Sequence, residues 1–184
     1  MEKAEALFVM DMNNLFAQLG ADSPLARLFN VKTGPHTLML DEFTVNETVL
    51  PASSGKDATG CKVDTYARPQ LSWIAVGGAT VQSASGKPLE GKGMQAKYER
   101  SMERIIGLAH QVNRTAFFGS KFLSIEAASL NPSTIIVQVE EIGGGKYKMP
   151  LEIPGGSIAR TTTLSFADFT PADDSKDSNN KLDL

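Results

Sequence analysis

MQAKYERSMERIIGLAHQV, residues 94–112, carries apolar side chains at helical spacing near the middle of the chain. Steps of three and four residues separate its apolar positions, which are Met94, Tyr98, Met102, Ile105, Ala109 and Val112. At 3.6 residues per turn these positions share one face over about five turns. The stretch therefore predicts a long central helix against which the rest of the chain packs.

The flanking sequence predicts one further helix and a series of strands. A period of three and four residues that ends at Gly20 predicts an N-terminal amphipathic helix with the apolar positions Phe8, Met12, Leu15, Phe16 and Leu19. Two-residue alternation and apolar runs between turn residues predict strands at 37–50, 61–66, 71–81, 115–130, 134–142, 146–153 and 157–166. The predicted fold class is α+β, mainly antiparallel β-sheet with these two helices.

The composition changes near the C-terminal end. After Phe169 the chain is rich in Asp, Ser, Asn and Lys, which predicts a flexible, disordered acidic tail at residues 170–184. Residues 1–169 are predicted to form a single globular α+β domain. A chain of 184 residues can bury a core without a disulfide or a metal.

Composition also limits the chemistry. One cysteine excludes a disulfide framework, and with two histidines a zinc site would need an unusual number of carboxylate ligands, so neither a metal nor a cofactor is expected. Residues 1–5 are acidic and unlike a targeting peptide, which predicts a cytoplasmic protein, in the host cytoplasm if it is viral. Residues 69–86 lack charge but contain too many polar side chains for a membrane span.

No catalytic constellation stands out in the sequence. Cys61 would need a base, and His36 and His110 lie in contexts that match no known signature. The triple glycine at 143–145 is followed by Lys146 and then a tyrosine, so it predicts a hairpin turn and not a phosphate loop. Adjacent carboxylates on a strand point to opposite faces, which argues against acid/base pairs. The protein is predicted not to be an enzyme.

The net charge of −3 is distributed unevenly along the chain. Residues 87–121 hold seven basic and three acidic side chains, for a charge of +4, whereas residues 168–184 hold two and five, for −3. On the predicted central helix Lys97, Arg100 and Arg104 fall within about 60° of one another. Such a face predicts a phosphate-binding surface; the alternative is a solvated face that pairs with carboxylates of this or a second subunit.

Aromatic residues accompany these cations. Single-stranded nucleic acid is bound by combinations of cationic grooves and aromatic stacking platforms. Phe117 and Phe118 lie between two basic residues, and Tyr147 lies between two lysines, although each phenylalanine could instead pack in the core. The predicted nucleic-acid-binding residues are Lys92, Lys97, Arg100, Arg104, Arg114, Phe117, Phe118, Lys121, Lys146, Tyr147 and Lys148.

This organisation resembles that of small phage-encoded single-stranded-DNA-binding proteins. Those proteins join a compact β-rich core to an acidic C-terminal tail, which here corresponds to residues 170–184. The aspartates of this tail could fold over a cationic groove and compete with nucleic acid, or recruit partner proteins. The resemblance implies that the partners are replication or transcription machinery, such as a phage RNA polymerase.

Two functions remain open at this point. The first is a non-enzymatic, homo-oligomeric protein that binds single-stranded DNA or RNA, for example as a phage replication or transcription cofactor. The alternative is a viral structural protein, such as a capsid, tail or decoration subunit, for which the many short strands and the low aromatic content of 7% argue.

Overall fold

At residues 96–100 and again at 150–153, buried and exposed side chains alternate residue by residue, which is the period of a β-strand. The computed structural model describes residues 4–11, 34–46, 61–89, 91–100, 105–112 and 117–184. Its strands are β1 (Ala4–Asp11), β2 (Gly34–Asn46), β3 (Cys61–Lys62), β4 (Trp73–Val76), β5 (Thr80–Ser85), β6 (Lys92–Arg100), β7 (Gly107–Gln111), β8 (Phe122–Ser129), β9 (Ser133–Glu141), β10 (Lys146–Ile153), β11 (Arg160–Ser165) and β12 (Thr170–Pro171). The helical segments within these described ranges are α1 (Pro69–Ser72) and a 3-10 turn at Phe166–Asp168.

The strands form two antiparallel sheets. Sheet one has the strand order β12-β10-β9-β1-β7-β4. Sheet two has the order β11-β8-β2-β6-β5, with β3 paired to β2. β4 and β5 therefore lie at the ends of their sheets, and β1, the first strand along the chain, lies between β9 and β7.

One hydrophobic core joins the two sheets. Both contribute alternate strand positions to it, as expected where one face of each strand is buried. From sheet one these include Leu7, Val9, Val137 and Val139, and from sheet two Leu38, Leu40, Met94 and Ile125. The protein is thus a β-sandwich whose two inner faces supply the core.

The predicted long central helix is wrong. The described parts of residues 92–112 form the strands β6 and β7, which belong to different sheets. Positions four residues apart, such as Met94 and Tyr98, lie on one face of a helix but also on one face of a strand. Both of these side chains are buried, and so is Ala96 between them, which only the two-residue period explains.

The predicted N-terminal helix is wrong where the structure describes it. Phe8 lies on β1, where it pairs with Ala109 of β7 and Gln138 of β9. The neighbouring side chains Leu7 and Val9 enter the core instead. The other apolar positions of that predicted helix, Met12, Leu15, Phe16 and Leu19, lie outside the described residues. The fold class is accordingly mostly β, not α+β.

The segment predicted as a disordered tail packs against sheet one. β12 pairs with β10, the Ala172 amide donates to the Lys146 carbonyl at 2.9 Å, and the Lys176 amide donates to the Gly144 carbonyl at 3.0 Å. Ala172 is buried, and Leu182 and Leu184 pack against the core. Composition predicted disorder here, but these backbone hydrogen bonds and apolar contacts hold the segment in place. We call residues 170–184 the C-terminal strap.

Several strand predictions are confirmed. β9 and β10 occupy the predicted runs 134–142 and 146–153 and are joined by the predicted glycine turn. β8 and β11 lie within the predicted runs 115–130 and 157–166. Within the described ranges, no helix has the length and apolar character needed to cross a membrane.

Candidate functional site

The strand geometry separates the cations that the predicted helix brought together. On β6 the even-numbered side chains from Met94 to Arg100 are buried, whereas Lys97 projects from the opposite face and is exposed. Lys92 is exposed at the beginning of the same strand. Arg104 and Arg114 lie outside the described residues. No shared cationic face connects Lys97 and Arg100, because positions three apart on a strand point in opposite directions.

Arg100 is buried in a polar cluster between the sheets. Its side chain is 4% exposed, and its Nε donates to Asp11 Oδ2 at 2.9 Å. Its Nη2 donates to Ser133 Oγ at 2.8 Å and lies 3.3 Å from His36 Nε2. Tyr98 completes the cluster by donating its hydroxyl hydrogen to Asp11 Oδ2 at 2.7 Å. Arg100 therefore acts as an internal cross-link and does not present its guanidinium to a ligand.

This interior cluster shifts the titration of its members. Burial, followed by the neighbouring Arg100 charge, lowers the pKa of His36 to about 4. Burial and the nearby Asp11 carboxylate raise the pKa of Tyr98 above its ordinary value. Ser133 Oγ lies 2.9 Å from His36 Nε2, but both residues are buried and His36 also faces Arg100. This serine–histidine contact is closed to a substrate in this structure.

The two adjacent phenylalanines have different environments. Phe117 is buried and packs its ring 5.9 Å from that of Phe166. Phe118 is 59% exposed. Phe118 is thus the one of the two that offers a ring at the surface, next to the exposed Lys121.

An open groove lies beside these residues. It has a volume of about 830 Å³ and is lined by residues 119–122, by residues 165–167 with Phe169, and by residues 180–184 of the C-terminal strap. Lys121 and Lys181 are exposed on its walls, and Phe122 is half-buried in it. We call this cavity the strap groove. It combines cations with an aromatic ring, although Asp183 also lines it.

Two lysines of the β9–β10 hairpin lie under the acidic strap. Lys146 Nζ pairs with the Asp174 carboxylate, and Lys148 Nζ lies 3.7 Å from Asp173 Oδ2. The hydrogen bond raises the pKa of Lys146 and lowers the pKa of Asp174. Both carboxylates are largely exposed, so these ion pairs are at the surface and exchangeable.

Tyr147, between the two lysines, points the other way. It is 1% exposed and donates its hydroxyl hydrogen to the Asp177 carboxylate. Burial, with the hydrogen bond to Asp177, raises the pKa of Tyr147. The alternation of strand positions explains the difference, because Lys146 and Lys148 share the outer face while Tyr147 faces the core. Tyr147 is therefore not available to stack on a base.

The strap connects the hairpin with the strap groove. The Asp183 amide donates to Glu141 Oε1 at 2.6 Å, at the base of the hairpin turn, while residues 180–184 line the groove. The strap thus contacts both the groove that Lys121 lines and the two hairpin lysines. Lys92, Lys97 and Arg100 lie elsewhere, on β6.

Comparison with known proteins adds no assignment. No protein-family model, no curated protein and no solved structure matches the chain.

A cluster of aromatic and polar side chains that the sequence did not predict lies beneath β4. Asp64 Oδ2 accepts hydrogen bonds from Trp73 Nε1 and Ser72 Oγ, both at 2.7 Å. His110 stacks on the Trp73 ring at 4.8 Å and donates from Nδ1 to the Ser72 carbonyl at 2.8 Å. Burial alone would raise the pKa of Asp64, but the hydrogen bonds from Ser72, the Tyr66 amide and Trp73 outweigh it and lower the pKa.

A second arrangement missed from the sequence is a pair of acidic residues on sheet two. Asp41 of β2 and Glu126 of β8 are directly opposite in the strand register, and both are buried. Asp41 and Glu126 are 85 positions apart in the chain, so no local pattern in the sequence pairs them. In the part of the chain that the structure describes, no group of three His, Cys, Asp or Glu side chains is arranged to hold a metal ion.

Proposed function

We propose that this protein is a non-enzymatic binding protein for single-stranded nucleic acid and that the ligand site is the strap groove with the adjoining hairpin lysines. The observation that carries the proposal is the groove of about 830 Å³ lined by Lys121, Phe122 and Lys181. The exposed Phe118 directly precedes Gly119, the first residue of this lining. Phosphates would contact the lysines, and bases would stack on Phe118 and Phe122. Each base stacked on an aromatic ring contributes about 1–3 kcal/mol.

The carboxylates of the strap compete with phosphate for the hairpin lysines in this proposal. Asp173 and Asp174 neutralise Lys148 and Lys146, but their side chains are exposed. A phosphate can therefore replace either carboxylate by side-chain rotation, without detaching Ala172 from the core. In this proposal Lys121 and Lys181 bind phosphate first, and the two hairpin lysines contribute only when their aspartates turn away.

Fluorescence anisotropy with a labelled single-stranded oligonucleotide across a salt series tests the proposal. The slope of log affinity against log salt is about −0.7 for each phosphate neutralised on a single strand. Wild-type protein should give a slope of about −1.4 from two lysines, and the double variant Asp173→Asn, Asp174→Asn should approach about −2.8 with tighter binding. A second variant removes the two groove lysines. Lys121→Gln with Lys181→Gln should abolish most of the binding.

Other outcomes would overturn the proposal. Absence of binding at low salt by both the wild-type protein and the Asp173→Asn, Asp174→Asn variant would exclude this site for single strands. Equal affinity for duplex and single-stranded oligonucleotides would exclude base stacking on Phe118. A further control, Lys97→Gln on the distant strand β6, should leave the affinity and the salt slope unchanged.

The proposal extends to partner and compartment. A cytoplasmic single-strand-binding protein of phage type would act beside a polymerase, and the exposed Asp173 and Asp174 are the groups of the strap that a basic polymerase surface could contact. Pull-down of the polymerase by wild-type protein, weakened by Asp173→Asn with Asp174→Asn, is the expected result.

A structural role is the second candidate, favoured by a different observation. Antiparallel β-sandwiches serve as capsid and lectin domains as well as binding modules, so the fold alone does not decide the function. The edge strand β4 exposes Ile74 and Val76, which favours assembly. Light scattering distinguishes the two, because a capsid or decoration subunit forms large closed assemblies.

A further inference from the structure

One continuous segment at the edge of the sandwich has no charged side chain of its own. Residues 69–86 contain no Asp, Glu, Lys, Arg or His over eighteen positions. In the structure this stretch forms α1, β4 and β5, so it supplies the end strand of sheet one and the end strand of sheet two. The uncharged segment of the sequence therefore forms two neighbouring sheet edges, which we call the uncharged wall.

β4 is the apolar half of this wall. Ile74 is 69% exposed and Val76 is 46% exposed, and Leu71 of α1 beside them is 75% exposed. Within the described ranges β4 pairs with β7 alone. Exposed sheet edges in monomeric proteins are commonly protected by lysines, prolines or bulges, because unprotected edges pair with other strands. β4 has none of these devices.

The backbone of β4 is oriented for pairing. The Trp73 amide donates to the Pro69 carbonyl of α1 and so points away from β7. Alternate residues of a strand direct their amide and carbonyl groups to the same side, so those of Ala75 also point away from β7, toward the open edge. Ile74 and Val76, one on each side of Ala75, extend from one face of the strand.

The edge is also held firmly. Trp73 is buried, with its indole fixed between Asp64 and His110. After β4, Gly77 has a φ of +74°, and a Cβ there would lie 2.0 Å from the Ile105 carbonyl oxygen. Both ends of β4 are therefore fixed to the body of the protein. Because the strand is already ordered, pairing with another strand loses less conformational entropy.

We propose that a second copy of this chain docks on this edge by antiparallel pairing of β4 with its counterpart around a two-fold axis at Ala75. In this arrangement each Ala75 exchanges hydrogen bonds with its counterpart, and each Ile74 lies opposite the partner's Val76. The second copy is the occupant that the charge pattern fits, because two uncharged walls meet without repulsion. Sheet one then continues across both copies.

Analytical ultracentrifugation over a concentration series tests the docking. Wild-type protein should form a dimer, and Ile74→Lys should raise the dimer dissociation constant by about tenfold or more, because two lysines would enter an apolar, uncharged interface. Ile158→Lys is the matched control: Ile158 is also an exposed isoleucine, 60% accessible, but lies outside residues 69–86. This variant should dimerise like the wild type.

The results that overturn the proposal are equally clear. A wild-type protein that stays monomeric throughout the micromolar range has no such interface. If Ile74→Lys dimerises as strongly as the wild type, the dimer uses another surface. Circular dichroism of Ile74→Lys checks that the variant is folded, and Val76→Lys provides a second variant at the same edge with the same expected effect.

Disulfide trapping tests the register. Opposed Cα atoms in antiparallel strands are about 4.5 or 5.5 Å apart, which lies within the range that a disulfide spans. In a Cys61→Ser background, Ala75→Cys should therefore form a covalent dimer on mild oxidation, and Ile158→Cys should not. Equal cross-linking of both variants, or of neither, would overturn pairing centred on Ala75.

Discussion

Arg100 and Lys146 carry the same charge, and the sequence predicts both as phosphate contacts, but the fold gives them opposite environments. Arg100 is enclosed between the sheets, where Asp11, Ser133 and His36 surround its guanidinium. Lys146 lies on the outer face of β10 and pairs with the Asp174 carboxylate, which is largely exposed to solvent. The chain thus uses one cation as an internal cross-link and the other as an exchangeable surface group.

Burial determines how much stability is lost when one partner of an ion pair is removed. A buried partner that loses its counterpart keeps an uncompensated charge, which costs several kcal/mol. An exposed partner is solvated at once, so its loss costs little. Perturbing each region in turn should therefore give effects that differ by several-fold in the free energy of unfolding.

The largest effect is expected from Arg100→Ala. Removal of the guanidinium takes a positive charge and the 2.9 Å hydrogen bond from Nε away from the buried Asp11 carboxylate, which the Tyr98 hydroxyl also contacts. The free energy of unfolding should fall by about 3–5 kcal/mol, measured by urea denaturation. Lys97→Ala, on the exposed face of the same strand, should change it by less than about 0.5 kcal/mol. Similar losses in the two variants would contradict the internal role of Arg100.

The next effect is a pH dependence due to His36. Its pKa is about 4 in the folded protein against an ordinary 6.5, so the unfolded chain binds more protons between these values. Stability should therefore fall as the pH drops from about 6.5 toward 4, by up to about 3 kcal/mol. Thermal unfolding of the wild type and of His36→Gln over this pH range measures it. If stability falls with decreasing pH as steeply in His36→Gln as in the wild type, other groups cause the pH dependence.

A smaller effect is expected at the buried tyrosine of the hairpin. Tyr147→Phe keeps the ring in the core but removes the hydrogen bond to Asp177. The free energy of unfolding should fall by about 1 kcal/mol, the usual contribution of one such bond. Hydrogen exchange of the Lys176 amide, which donates to Gly144, should become faster if the strap loosens. Unchanged exchange and unchanged stability would show that Asp177 does not hold the strap.

The smallest effect on stability is expected from the exposed carboxylates of the strap. Asp173→Asn with Asp174→Asn removes only exposed ion pairs, so the free energy of unfolding should change by less than about 1 kcal/mol. Raising the salt concentration should remove even this difference, because exposed pairs are screened. A loss comparable with that of Arg100→Ala would mean that the exposed pairs, and not the apolar contacts of Ala172, hold the strap.

The sequence predicted the strands of the second half better than those of the first. Between residues 134 and 153, alternation and a glycine turn both indicate a hairpin, and β9 and β10 confirm it. At β6 the spacing of Met94 and Tyr98 fits a helix and a strand equally well. Arg100 at an inward position then concealed the two-residue alternation, since a charged residue is rarely assigned to a core.

For the candidate site, the sequence already contains the two-residue alternation that determines which side chains share a face, but the prediction did not use it. In Lys146-Tyr147-Lys148 the alternation itself predicts that the lysines and the tyrosine face opposite sides of a strand. Adjacency along the chain suggested a shared surface instead. The contacts of the strap, and the burial of Arg100 by Asp11 eighty-nine positions away, depend on long-range pairing that no local pattern contains.

The central position of β1 has a consequence for synthesis. Ala4 pairs with Glu141 and Met10 with Ile136, so β1 must wait for the synthesis of β9 before these two neighbouring strands of sheet one can pair. Contacts this distant along the chain make folding slow, because loop-closure entropy is lost before the contacts form. During that delay the uncharged segment 69–86 is already outside the ribosome. The proposed pairing of β4 between two copies can therefore begin before sheet one is complete.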